Sequence, residues 1–152
     1  MKVEHQGYNE CALATLAALG GVSLDFVRDL ALQYANAVSN RQINTWSFAI
    51  ITFGRSSRYT RTIEQIAAAL GVRVEAEKLA YTLYTPTTGT PGLPSSGRGF
   101  IVVYSDVGSA HAMPWFAGLV YDSMDTEPIQ GQTLSGWLAS HPGWHVERIE
   151  TV

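Results

Sequence analysis

The stretch Cys11 to Leu19, CALATLAAL, carries no charge and no breaker, and it is built almost wholly of Ala and Leu. It is strongly helical, and Gly20-Gly21 stops it. A helix this apolar has to be buried, so the rest of the chain must be arranged around it. The chain's single cysteine stands at its first position, directly after the polar QGYNE.

The remaining elements follow in order. Residues 1–10 are polar and turn-like. Ser23 can cap a second helix running to about Ala35, with Asp25 in its first turn and Phe26, Leu30 and Tyr34 marking one face beside Val27. Trp46 to Phe53 is apolar and suits a buried strand or a short helix; periodicity does not separate the two. GRSSRYTR reads as a loop. Thr62 to Gln65 has capping-box spacing and predicts a helix from Ile63 to Leu70, ended by Gly71. Val72 to Leu79 alternates as a strand. Tyr81 to Gly99, rich in Thr, Pro, Gly and Ser, reads as a long loop. It is a candidate lid or substrate-binding segment, or an uninvolved surface loop.

Phe100 to Tyr104 (FIVVY) predicts a buried central strand. His111 to Phe116 and Leu119 to Ser123 predict a hairpin around Ala117-Gly118. Thr133 caps a short helix to about Ala139, and Trp144 to Ile149 closes as a strand. Helices come first and mostly antiparallel strands follow, which is an α+β pattern rather than a repeating βαβ one.

At 152 residues the expectation is one domain over 1–152. With 46% hydrophobic and 15% charged residues the chain suits a folded globule. A net charge of -3 and the lack of any Lys/Arg run argue against nucleic acid as a partner. No signal-like stretch follows Met1 and no apolar run is long enough to span a bilayer, so a cytoplasmic location without membrane insertion is expected. Delivery by a secretion system or a phage is compatible with the same features. One cysteine rules out an intrachain disulfide and a multi-cysteine zinc site. It is then either a small buried hydrophobe or a reactive thiol.

Its position favours the second role. Unpaired N–H groups and the dipole at a helix start favour negative charge, which suits a nucleophilic thiolate. Gln6 lies upstream, where its amide can donate to a developing oxyanion beside the backbone N–H of Cys11. If Ala117-Gly118 forms a two-residue turn, Met113 faces Asp122 and His111 faces Met124. Asp122 is then the diagonal neighbour of His111 on one face of the hairpin, able to fix the imidazole's tautomer and orientation. A one-residue slip would undo this pairing, and Asp125 is the reserve.

QGYNECALATLAALGGVSLDFVRDL, TIEQIAAALGVRVEAEKL and GRGFIVVYSDVGSAHAMPWFAGLVYDS together resemble the papain-like peptidase domain of bacteriocin-processing ABC transporters and its stand-alone relatives. The resemblance covers most of the chain in order. It implies a papain-like fold in which Gln6 is the oxyanion-hole donor, Cys11 the nucleophile, His111 the base and Asp122 the orienting residue. It also implies a peptide or small-protein substrate cut after small residues such as glycine; no cofactor is expected. Two departures stand out: Glu10-Cys11-Ala12 where the family usually shows Asp-Cys-Gly, and Ser123 where it often has proline.

Other residues compete for attention. His141 and His145 have a metal-like spacing, but Pro142 and Gly143 keep them off one helix. With His5 they read as solvated or structural. Asp106 flanks the site region. Trp115 can shield the imidazole or pack in the core, the latter being favoured by its apolar area; Trp46, Trp137 and Trp144 read as core or edge aromatics. Gly108 and Ser109 make the turn that presents His111. Two rival functions share this set: a toxin- or effector-type deamidase or acyltransferase using the same Cys-His pair, and a non-catalytic peptide-binding module.

Overall fold

The computed structural model describes residues 1–7, 10–35, 60–72, 92–126 and 128–152. The architecture is α+β. Three helices come first: α1 (Cys11–Gly20), α2 (Leu24–Ala35) and α3 (Thr60–Ala69). Then follow β1 (Arg98–Ser105), β2 (Ala110–Phe116), β3 (Leu119–Val120), α4 (Leu134–Ser140) and β4 (Trp144–Thr151). The strands form one antiparallel sheet in the order β3-β2-β1-β4.

Helix α1 is the core element its composition demands: every residue from Cys11 to Leu19 is buried. Gly21 ends it with φ at 67°, so that its N–H reaches Ala18 O while Val22 N–H reaches Ala17 O. A left-handed residue is easiest for glycine, and these bonds satisfy the last helical carbonyls. Ser23 caps α2 as expected, its Oγ accepting from Phe26 N–H at 3.1 Å. Glu4 adds a second acceptor, for Leu24 N–H at 2.8 Å, and so ties the N-terminal segment to the same helix start.

Some expectations need correction. The buried stripe of α2 is Leu24, Val27 and Ala31, not the Phe26 face, and Phe26 is 50% exposed. The i, i+3, i+7 stripe is slim enough to pack closely, which leaves the bulky ring on the flank. Helix α3 begins at Thr60, so Thr62 lies inside the helix rather than at its cap. Its other end behaves as read: Gly71 has φ at 69°, and Val72 N–H bonds to Ala67 O.

The central strand begins at Arg98, so the loop assigned to residues 81–99 is shorter at its end. Gly99 makes this possible, because a Cβ there would land on the carbonyl oxygen of Glu150 in β4 and press on the Trp115 indole. The readings of Trp46 to Phe53, of the strand beyond Val72 and of the loop through residue 91 lie outside the described residues.

Two apolar clusters sit about the sheet. One joins α1, α2 and α3 to Phe100, Val102 and Ala112. The other joins Ile101, Val103, Met113, Trp115, Val120 and Val146 to Leu134 and Trp137 of α4. Adjacent strand residues fall into opposite clusters, as a pleated strand buried on both faces requires. Trp115 is fully buried and donates its indole N–H to Glu150 O at 3.0 Å, so its role is packing. No single described helix is long and apolar enough to cross a membrane.

Candidate active site

The hairpin that carries His111 adopts the anticipated register. Ala117 and Gly118 have φ of 48° and 83°, and Phe116 pairs with Leu119 and Trp115 with Val120. Two left-handed residues define the turn whose twist suits a two-residue hairpin. Beyond β3, Tyr121 N–H still bonds to Pro114 O at 3.0 Å, which carries the register one residue further. Asp122 is thereby delivered diagonally to His111, and its Oδ1 lies 2.8 Å from His111 Nε2.

Both partners are buried, with His111 at 5% and Asp122 at 3% exposure. The carboxylate is fully engaged. Its Oδ1 also accepts from Met124 N–H at 2.9 Å, and its Oδ2 accepts from the Trp137 indole N–H at 2.8 Å. Burial pushes Asp122 up, but the hydrogen bond and charge of His111, with the Met124 and Trp137 donors, outweigh it and hold the group at about 2. Burial pulls His111 down; the hydrogen bond to Asp122 and the hydrogen bond and charge of Cys11 overcome that and raise it to about 9. His111 thus has a carboxylate on Nε2 and shares a cavity wall with Cys11, and both neighbours favour an imidazolium.

Cys11 is 5% exposed and belongs to the α1 cluster, yet it also lines a cavity of about 400 Å³. The other walls are His5, Gln6, Gly7, Ala110, His111, Ser123 and Met124. The four residues singled out from sequence therefore meet in one place: three line the cavity, and Asp122 stands behind His111.

Ala14 N–H makes the first helical bond, to Glu10 O, so the N–H of Cys11 precedes the helical ladder. Glu10 occupies the cap position but makes no side-chain cap bond. Its carboxylate instead grips Arg28 of α2 through two contacts of 2.6 Å and accepts from Gly7 N–H at 2.7 Å. The Arg28 hydrogen bonds, opposed by burial, hold Glu10 below the usual carboxylate range. A negative charge one residue before the thiol is in this way paired away from it.

Gln6 is held at both ends by one residue. Its backbone N–H donates to Ser123 O at 3.1 Å, and its side-chain Oε1 accepts from Ser123 Oγ–H at 2.6 Å. Its Nε2 donates to Gly7 O at 3.2 Å.

The competing residues have other occupations. Asp125 accepts from Gln132 Nε2 at 3.0 Å, so the reserve for Asp122 is not called upon. Asp106 pairs with His145 Nε2 at 2.7 Å on the surface. His141 directs Nδ1 to Trp137 O and stacks on the Trp137 ring with centroids 4.0 Å apart. Trp144 lies edge-on to both Trp137 and His111. Trp137, expected from sequence as a core or edge aromatic, is the residue of the site that pattern alone does not single out. No local pattern links it to Asp122, because the two meet only once Thr133 has started α4 by accepting from Gly136 N–H at 3.1 Å.

Comparison with protein families, with curated proteins and with solved structures finds no match.

Proposed function

We propose that this chain is a papain-like cysteine peptidase that hydrolyses an amide bond in a peptide or small protein. The observation that carries the reading is the buried His111–Asp122 pair whose imidazole lines, together with Cys11, a cavity of the size that holds small ligands. A structural cysteine needs neither the imidazole nor the cavity.

The steps follow from the placement of the groups. The Cys11 thiolate attacks the carbonyl carbon while His111, charged and held through Nε2 by Asp122, stands beside it. The carbonyl oxygen becomes an oxyanion stabilised by Gln6 Nε2–H and the Cys11 backbone N–H. His111 gives its proton to the departing amine as the C–N bond breaks, which leaves a thioester. Water then loses a proton to His111 and attacks the thioester. The acid product leaves and the thiolate–imidazolium pair is restored.

The test is a defined peptide mixture analysed by mass spectrometry. The expected result is new termini, each pair of fragments together heavier than its parent by one water, with Cys11→Ala inert but folded. Cleavage that survives Cys11→Ala would refute the reading. Deamidated or cross-linked products without cleavage would assign the site to the deamidase or acyltransferase class.

A further inference from the structure

We infer that Ser123 is a positioning residue for the oxyanion hole: it clasps Gln6 so that the amide N–H of that side chain is presented to the cavity beside Cys11. This rests on the hydrolase reading and adds to it a residue that does not itself touch the reacting atoms.

Gln6 sits in an N-terminal segment with no regular structure, on the wall of the cavity. A free glutamine side chain there would sample many rotamers and its amide could face either way. Two groups remove that freedom. Gly7 O can only accept, so the amide nitrogen must be on its side, at 3.2 Å. The oxygen must then face Ser123, whose hydroxyl donates to it at 2.6 Å. An amide nitrogen carries two hydrogens, and Gly7 O takes one. The second is left for a ligand oxygen in the cavity.

Ser123 is suited to this task by where it stands. It is 1% exposed, and it follows Asp122 directly in the chain. Its carbonyl accepts from the Gln6 backbone N–H at 3.1 Å, so main chain and side chain are fixed by the same residue. The segment that orients His111 therefore also orients Gln6. Preorganised donors of this kind cost no rearrangement when charge develops, which is the source of their effect on rate.

The experiment separates the oxyanion donor from the Cys–His pair. Iodoacetamide reports on the thiolate alone, since alkylation generates no oxyanion. p-Nitrophenyl acetate requires one during acylation. Both probes are applied to the full chain and to Ser123→Ala, Gln6→Ala and the double variant. Ser123→Ala should keep the alkylation rate within about twofold of the wild type and slow ester turnover by about tenfold, less than loss of a whole donor. In the Gln6→Ala background the serine change should add nothing further, because its effect runs through Gln6.

Ester turnover at the wild-type rate in Ser123→Ala overturns the inference. So does an equal loss in both backgrounds, or a collapse of alkylation, which would assign Ser123 to the fold or to the Cys–His pair. A failure of the hydrolase reading shows elsewhere: the wild type itself would then be slow with both probes, and both proposals would fall.

Discussion

Trp137 donates its indole N–H to Asp122 Oδ2 at 2.8 Å, while His111 occupies the opposite oxygen of the same carboxylate. The side chain that orients the imidazole is thus itself oriented by a helix fifteen residues further along the chain. Trp137→Phe keeps an aromatic ring and removes the donor. The buried Oδ2 then lacks a partner, and the expected cost is about 1–3 kcal/mol in urea denaturation. Asp122 should also protonate more readily, which moves the acid limb of any activity profile to higher pH. An unchanged acid limb would show that the indole only packs.

The Glu10–Arg28 pair fixes the start of α1 to α2 and holds Gly7 N–H. Arg28→Ala would leave a buried carboxylate one residue from the nucleophile. Breaking a sealed pair costs about 3–5 kcal/mol, and the value here should be nearer 2 because the arginine side chain is 34% exposed. Glu10→Gln in the Arg28→Ala background should recover part of the loss, and chemical denaturation of both variants measures it.

The two ends of the His111–Asp122 pair set opposite limits on stability. Folding raises His111 from 6.5 to about 9, so its contribution is complete below 6.5 and is lost as pH rises through 9. Folding lowers Asp122 from 3.8 to about 2, so its contribution is complete above 3.8 and is lost as pH falls toward 2. These groups should give a plateau in Tm between those limits, with decline on both sides. In His111→Ala the alkaline decline should shrink, as thermal melts across pH would show.

Ala117 occupies the first turn position with φ at 48°, where a Cβ is disfavoured and asparagine is at home. Ala117→Asn should stabilise the protein by about 0.5–1 kcal/mol in chemical denaturation, without changing reactivity at Cys11. Loss of stability would mean that the turn is held by something other than its own backbone preference.

These tests also mark what could be read from the amino acids alone. Features set by neighbours along the chain were legible: the apolar helix with its glycine stop, the Ser23 and Thr133 caps, and the hairpin register that brings Asp122 to His111. Features set by distant partners were not. The Ser123–Gln6 clasp spans 117 residues, and Glu10 meets Arg28 across 18. Such pairs leave no periodic trace, since each member taken alone is an ordinary polar residue. The Phe26 face failed for a related reason: Phe26, Leu30 and Tyr34 recur at helical spacing, while packing against the other helices chose the slimmer Leu24, Val27 and Ala31 stripe.

The most direct test of the site is the rate at which iodoacetamide alkylates Cys11 at pH 6.5, followed by intact mass, in the wild type and in His111→Ala. A thiolate paired with a charged imidazole should react about 100-fold faster than the same sulfur without it. Equal rates in the two proteins would contradict the pairing, leaving Cys11 as a packed side chain and the cavity beside it without a nucleophile.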